Sequence, residues 1–154
     1  MKTRTILLTV AALFAVVALS FAADANMGTW KLNEAKSKIN PGGPKNNMVV
    51  IAAAGDSMNV TVDGVSADGK PIHNEWVGKF DGKDYAISGD SASDMRAYKP
   101  INDHTLALTE KKGGKIINSG RVVVSADGKT RTVTVSGTDA NGKKMNTTFV
   151  YDKQ

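Results

Sequence analysis

Cysteine is absent from all 154 residues of the chain, and this absence excludes several kinds of chemistry. Without a thiol the chain has no disulfide, no thiolate metal site and no cysteine nucleophile. Lipid attachment at a bacterial lipobox also needs a cysteine, so we expect none here. Stability must therefore come from a packed core, which one domain of this length can supply.

Residues that commonly act in catalysis or metal binding are also few. The histidines are His73 and His104, whereas a metal site needs three or four convergent ligands. The sequence contains no Gly-x-Ser-x-Gly segment that would mark a serine nucleophile. Glu34, Glu75 and Glu110 form no recognisable pair for glycoside hydrolysis. We therefore predict no catalytic residues, no metal site and no cofactor, and we expect the protein not to be an enzyme.

Neither charge sign forms a long run. The net charge is +5 at pH 7, and it falls to +3 without Lys2 and Arg4 of the N-terminal segment. Lysines and aspartates are interleaved along the rest of the chain, with no basic run that contains aromatic residues. This pattern indicates a mixed, solvated surface and no nucleic-acid partner.

The one long apolar run lies at the N-terminus. A basic start is followed by an apolar stretch, 6–19, and then by Ser20-Phe21-Ala22, which has small residues at the two positions that signal peptidase recognises. We predict a cleaved signal peptide over residues 1–22, with cleavage after Ala25 as the alternative. A membrane span takes about 20 apolar residues, so this shorter stretch favours a periplasmic or secreted protein with no membrane span after cleavage.

Turn signals divide the remaining chain at regular intervals. Asp-Gly and Asn-Gly pairs supply the positive φ that hairpin loops require. No linker is long enough to separate two domains, so we predict a single domain over residues 23–154. The turn signals are Gly55-Asp56, Asp68-Gly69, Asp81-Gly82, Asn102-Asp103, Gly113-Gly114, Asp127-Gly128 and Asn141-Gly142.

Segments rich in valine, threonine and aromatic residues lie between these turns, and we predict them to be strands. The helical candidate is a single turn from Asn33 to Lys38, which the following Pro41-Gly42-Gly43-Pro44 prevents from continuing. The predicted strands are 28–32, 47–54, 58–66, 71–80, 85–88, 94–100, 104–111, 115–125, 130–138 and 143–152.

One face of the predicted strands is apolar. In the last strand Met145, Thr147, Phe149 and Tyr151 share one side, and in strand 71–80 the residues Ile72, Trp76 and Phe80 do so. Such alternation is typical of an antiparallel sheet that packs on one side. With no helices to cover that side, the sheet must curl onto itself. Sequential hairpins favour an all-β, antiparallel up-and-down barrel of about 8–10 strands over a sandwich.

Two hairpins share one sequence pattern. The segment Val60–Lys70 recurs as Val133–Lys143. If Ala67-Asp68-Gly69 forms a three-residue loop with Gly69 left-handed, Gly64 lies opposite Ile72 and Val60 lies opposite Trp76.

Gly28-Thr29-Trp30 resembles the Gly-x-Trp signature that opens the first strand of lipocalins. With the meander behind it, the chain is similar to small exported lipocalin-like bacterial proteins, most of them without an assigned function. The resemblance implies a lipocalin-like barrel in which Gly28 and Trp30 close one end. It also implies an arginine from a late strand over the tryptophan. The last strand carries no arginine, and Arg121 and Arg131 lie earlier, which leaves the partner of Trp30 open.

A small barrel is either packed solid or able to hold one small ligand, and small residues on the interior strands, such as Ala97 and Gly137, favour a cavity. We predict an exported, monomeric binding protein for a small apolar or amphipathic molecule. The alternatives are a structural or interaction barrel without a ligand, and a barrel isomerase or hydrolase, which needs a polar cluster inside the cavity. The predicted lining residues are Trp76, Phe80, Tyr98, Leu106, Met145, Phe149 and Tyr151.

Overall fold

The valine- and threonine-rich segments form ten antiparallel strands within residues 22–138 and 142–154, the part of the chain that the structure, a computed structural model, describes. A 3-10 helix, Glu34–Lys36, follows the first strand, and residues 22–26 are helical. Apart from Ala22, the predicted signal peptide lies outside the described residues, as does Asn141 of the last turn. The strands are β1 (Gly28–Leu32), β2 (Lys45–Ala54), β3 (Ser57–Val65), β4 (Pro71–Gly78), β5 (Tyr85–Ser88), β6 (Met95–Asn102), β7 (Thr105–Lys112), β8 (Lys115–Val124), β9 (Thr130–Thr138) and β10 (Lys144–Lys153).

The sheet closes on itself. Each strand pairs with the strand that follows it, and β1 also pairs with β10. The predicted all-β, up-and-down barrel is therefore confirmed. At the closure Trp30 lies opposite Lys153, and Leu32 lies opposite Tyr151. Closure gives both edge strands of the meander a hydrogen-bonded neighbour, which protects them from pairing with other chains.

The β3–β4 hairpin has the register that the internal repeat predicts. Gly64 lies opposite Ile72, and Val60 lies opposite Trp76. The Ser66 N–H donates to the Lys70 carbonyl at 2.9 Å, which leaves a three-residue loop between them. Gly69 in that loop has a φ of 79°, a left-handed conformation that glycine adopts at least cost. Small and large side chains therefore face each other across the hairpin.

The strand predicted over 71–80 is shorter in the structure. It ends at Gly78, because its neighbour β5 spans only Tyr85–Ser88 and the chain between them turns across the barrel end. There the Gly82 N–H donates to the Tyr98 carbonyl at 2.8 Å. Phe80 consequently lies beyond the strand, but it is buried and stacks on Trp76.

One end of the barrel is closed by residues 22–26 together with Trp30, which we call the N-terminal plug. Ala22, Asn26 and Trp30 are fully buried. The Trp30 indole N–H donates to the Asn26 carbonyl at 2.8 Å, and Asn26 Nδ2 donates to the Ala22 carbonyl at 2.9 Å. The plug therefore meets the general requirement that a buried indole N–H find an acceptor.

A lysine lies over Trp30, where the lipocalin resemblance implies an arginine. Lys153 Nζ is 5.1 Å from the centroid of the Trp30 ring, within the range of a cation–π contact. Gly28 has a φ of 117°, and a Cβ there would lie 2.9 Å from Lys153 Cε, so glycine leaves room for the lysine chain. Arg131 on β9 reaches the plug differently, through a 3.3 Å hydrogen bond from its Nε to Asn26 Oδ1.

Truncation of the plug tryptophan tests how much this end contributes to stability. Trp30→Ala removes a fully buried ring, and we expect the free energy of unfolding to fall by about 3–5 kcal/mol. Urea denaturation of the purified barrel measures the change. Lys31→Ala, at the exposed neighbouring position of β1, is the matched control and should change stability by no more than about 0.5 kcal/mol. Equal stability of the two variants would show that the plug is not part of the cooperative fold.

Candidate ligand-binding cavity

The barrel encloses a cavity of about 400 Å³, within the range of about 300–1,000 Å³ typical of small-molecule sites. The strand directions place its opening at the end away from the N-terminal plug. The rim is formed by the loop after the 3-10 helix, by the β3–β4 turn at Ser66 and Ala67, and by the β5–β6 turn at 89–92. One end of the interior is therefore closed and the other is open.

Valine makes up much of the cavity wall. β-branched residues suit strands, and their short side chains end well before the barrel axis, so the centre stays unfilled. Larger apolar groups from Leu108 and Phe149 complete the wall. The valines that line the cavity come from β2, β3, β8 and β9: Val49, Val60, Val62, Val122, Val133 and Val135.

An ion pair lies inside the wall on the β6–β7 side. Arg96 Nη2 and Nε lie 2.6 and 2.8 Å from Glu110 Oε1, and Asn118 Nδ2 donates to the other carboxylate oxygen at 2.9 Å. The side chains of the pair are only 8% and 14% exposed. Burial alone would lower the pKa of Arg96, but interactions with Tyr98 and with Glu110 raise it above its ordinary value. Arg96 is therefore charged, and Glu110 neutralises it with both oxygens engaged.

Asp90 connects this pair to the rim. Its Oδ2 lies 3.7 Å from Arg96 Nη2 and accepts a hydrogen bond of 2.6 Å from the Ser93 hydroxyl. Its Oδ1 accepts from the Ala92 N–H at 2.8 Å. One carboxylate thus holds the β5–β6 turn in place and adds a second negative charge beside Arg96.

A second arginine, Arg131 on β9, lines the cavity next to the plug. It is 3% exposed, and its guanidinium carbon lies 5.7 Å from the centroid of the Tyr151 ring. Burial lowers the pKa of this guanidinium, and the charge on Arg96 lowers it further. Arginine nevertheless stays protonated in proteins. Among the ion pairs of the described residues, none involves Arg131, so a buried positive charge remains without a carboxylate partner.

Asn74 adds an unpaired acceptor to the wall. It lies between Ile72 and Trp76 on the inner side of β4, is 6% exposed, and borders the cavity. Its Oδ1 has no hydrogen-bond partner among the residues that the structure describes. A buried acceptor left unpaired costs about 1–3 kcal/mol, a cost that a hydrogen-bond donor on a ligand removes.

The predicted lining residues fall into two groups. Tyr98, Met145, Phe149 and Tyr151 border the cavity. Trp76, Phe80 and Leu106 lie in the packed core outside the lining.

Trp76 is the centre of an aromatic cluster on one side of the barrel. Its ring contacts Tyr98 edge-on at 5.0 Å and stacks on Phe80 at 5.9 Å between centroids. Its indole N–H donates to the Arg96 carbonyl at 2.9 Å. The cluster therefore holds the strand that carries Arg96, and its contribution to the cavity is to fix the wall's position.

An enzyme would need polar side chains that point into the barrel, and the candidate polar residues divide between the inner and the outer side. The His73 side chain is 63% exposed, and Glu75 and Arg121 lie on the outer side of their strands with it. Asn74 and Glu110 point inward. A polar cluster therefore does converge inside the barrel, as an enzyme would require, but its carboxylate is already occupied by the neighbouring arginine and asparagine.

Within residues 22–138 and 142–154, no group of three or more histidine, aspartate or glutamate side chains could hold a metal ion. Of the helices in these same ranges, none has the length and apolar character needed to cross a membrane.

A second depression, of about 550 Å³, lies at the rim between the loop after the 3-10 helix and the β3–β4 turn, and it shares Asn40 and Ser66 with the cavity. Every residue that lines it is at least partly exposed. Ligand sites usually bury most of the ligand, so we place the candidate site inside the barrel.

The predicted lining omits many residues that border the cavity, among them the wall valines and the polar residues Arg96, Asn118 and Arg131. The alternation in the sequence does carry a signal for them, because Arg131 has the same phase as Val133 and Val135. A charged residue in phase with an apolar face indicates a charge inside the barrel.

Comparison with known proteins shows the fold. No family model matches the chain, and no curated protein matches it. A solved structure described as EF1p2_mFAP2b bound to DFHBI has a TM-score of 0.50 and 14% identity, and the alignment covers 89% of this chain and 100% of that one. A redesigned β-barrel, mFAP1, bound to DFHBI has a TM-score of 0.42 and 18% identity over 83% of this chain and 96% of that one. At these identities the first likeness concerns the barrel architecture, and the second is too distant to support an argument.

The Arg96–Glu110 pair can be tested with a double-mutant cycle. Glu110→Leu leaves Arg96 buried without its carboxylate, and we expect the free energy of unfolding to fall by about 3–5 kcal/mol. Arg96→Met with Glu110→Leu removes both charges, so the double variant should recover most of that loss. Urea denaturation of the wild type, both single variants and the double variant gives the coupling energy. A double variant as unstable as Glu110→Leu would contradict the pairing.

Proposed function

We propose that the protein is an exported, lipocalin-like binding protein that holds a small apolar or amphipathic molecule inside its barrel. The observation that carries this proposal is the cavity of about 400 Å³, closed at one end and open at the other. A pocket with apolar walls and a few convergent polar groups is the usual form of a small-molecule site. One solved barrel of this fold is bound to the small molecule DFHBI, which is in keeping with the proposal.

The composition of the wall supports an apolar or amphipathic ligand. Valine, leucine and phenylalanine side chains form much of the apolar part of the cavity wall, and burial of apolar ligand surface against them contributes roughly 25 cal/mol per Å². The charged groups lie at defined places, namely Asp90, Arg96 and Glu110 toward the rim, and Arg131 beside the plug. Such groups orient a ligand, while the wall supplies most of the affinity.

The state of the inner carboxylate supports binding over catalysis. Glu110 accepts hydrogen bonds from Arg96 and Asn118, so a general base at this position would have to share both of its oxygens with these donors. His73 lies outside the barrel with its side chain largely exposed. The inner polar groups thus have the arrangement of a recognition site.

Filling the cavity should abolish binding. Val135 on β9 points into the cavity, and Val135→Trp would occupy the space of a ligand. Val77→Trp places the same ring at an exposed outer position and is the matched control. Isothermal titration calorimetry with decanol, decanoic acid and an anilinonaphthalene dye should show micromolar binding of at least one probe to the wild type and to Val77→Trp. We expect Val135→Trp to bind that probe at least tenfold more weakly, with its β-sheet circular dichroism unchanged.

Absence of binding by every probe to the wild type would favour the alternative of a structural barrel without a ligand. Equal affinity of Val135→Trp and Val77→Trp would place the bound probe on the outer surface, and the proposed site would be wrong.

Export is a separate part of the proposal and has its own measurement. Expression of the full sequence in a Gram-negative bacterium should give periplasmic or secreted protein that begins at Ala23, or at Asn26 for the alternative cleavage, with no added lipid mass. The first cut removes Ala22 from the plug and the alternative removes residues 22–25, but both keep Asn26, whose carbonyl and Oδ1 bond to Trp30 and Arg131. Intact-mass spectrometry of the fractions measures the N-terminus. A full-length chain retained in the membrane fraction would contradict the proposed export.

A further inference from the structure

We propose that the ligand is an anion, namely a small amphipathic acid whose carboxylate binds Arg131 beside the N-terminal plug while its apolar chain extends toward the rim. This inference rests on the proposed binding function and names the chemical class of the ligand. It follows from the charge that the interior leaves without a partner.

The carboxylates of Glu110 and Asp90 both lie beside the other inner arginine, Arg96. Glu110 lies 2.6 Å from Arg96 Nη2 and Asp90 lies 3.7 Å from it, and both belong to the part of the wall nearest the rim. Arg131 lies next to the plug, at the closed end. Its nearest polar partner there is the neutral Oδ1 of Asn26, at 3.3 Å from its Nε. Among the described residues, the positive charge at the closed end therefore has only a neutral acceptor.

Arg131 offers a carboxylate the right geometry. A guanidinium has five N–H donors in a planar fork, and the bond to Asn26 engages Nε alone. The two terminal nitrogens therefore remain for a bidentate contact of the kind that arginine forms with carboxylates. Since Arg131 borders the cavity, a ligand that enters from the rim can reach this fork.

Burial makes an anion the most favourable occupant. An unpaired charge out of water is costly, and a matching charge in the same low-dielectric site relieves that cost. Tyr151 lies against the guanidinium, and burial raises the pKa of its hydroxyl, so this ring adds no competing negative charge. The valine and phenylalanine side chains that line the cavity suit an alkyl or aryl chain, which distinguishes an amphipathic acid from a simple inorganic anion.

The test compares probes that share one chain and differ in head group. Decanoic acid, decanol and decylamine are titrated into the wild-type barrel by isothermal titration calorimetry below their micellar concentrations, with acetate as the acid that lacks the chain. We expect decanoic acid to bind at least tenfold more tightly than decanol, and decylamine to bind most weakly. Acetate should bind more weakly than decanoic acid, because it cannot contact the apolar wall.

Substitution of Arg131 tests whether its charge causes the preference for decanoic acid over decanol. Arg131→Met keeps the length of the side chain and removes the charge, so decanoic acid and decanol should then bind with similar affinity. Arg131→Lys should keep part of the preference for the acid. Arg121→Met, at an exposed position on the outer side of β8, is the matched control and should leave all affinities unchanged. If Arg131→Met does not fold, the wild-type probe series and Arg131→Lys still decide whether the cavity prefers an acid.

The outcomes separate this inference from the proposed function. Decanol binding as tightly as decanoic acid to the wild type, or an unchanged preference for the acid in Arg131→Met, would overturn the inference and leave the binding function standing. Acetate binding as tightly as decanoic acid would overturn the amphipathic class. Failure of all probes to bind would contradict the binding function, and the inference with it.

Discussion

Pairing of β1 with β10 is the interaction on which the rest of the barrel depends, because it turns an open meander into an enclosed interior. The contact is short, from Trp30 opposite Lys153 to Leu32 opposite Tyr151. A hydrogen bond at either end lengthens it, from the Gln154 N–H to the Thr29 carbonyl at 3.0 Å and from the Asn33 N–H to the Val150 carbonyl at 2.8 Å. Trp30 belongs both to this pairing and to the N-terminal plug, so closing the sheet and sealing its end are one structural event.

The distribution of side-chain volume then decides where the interior is solid and where it is hollow. Trp76, Phe80 and Tyr98 lie together on the β4–β6 side. Their ring centroids are 5.0–5.9 Å apart, and the rings fill the space between the strands. The opposite wall carries more valine and threonine, whose short side chains stop before the axis, beside larger residues such as Phe149 and Tyr151. The cavity therefore lies toward β8–β10 and β2–β3, and the aromatic side acts as its rigid support. A barrel with the same strands but with large residues spread evenly would be packed throughout.

Much of the fold follows from local patterns, whereas the cavity's polar groups depend on tertiary placement. Turn signals and alternation predict the strands, and the repeat predicts Val60 opposite Trp76, because hairpin register is set by loop length. Apolar alternation places Trp76 and Phe80 on the inner side and therefore predicts that they line the cavity. In the structure they pack against each other instead, and alternation alone cannot distinguish these two cases. The same reasoning passes over Arg96 and Arg131, although their phase places them inside. Pairing of Arg96 with Glu110 needs the β6–β7 register, and Lys153 over Trp30 needs the closure, neither of which is a local feature.

The two inner arginines show how one residue type serves two purposes in one cavity. Arg96 is matched by Glu110 and Asp90, so it links three neighbouring segments and its charge is neutralised within the wall. Arg131 has no such match among the described residues, and replacing a buried charge by an apolar side chain of similar size is often neutral or stabilising. Stability alone therefore gives no reason for a guanidinium at this position. Ligand binding gives such a reason. Arg131 lies beside the plug and borders a cavity that opens at the far end, so an incoming acid supplies the missing negative charge.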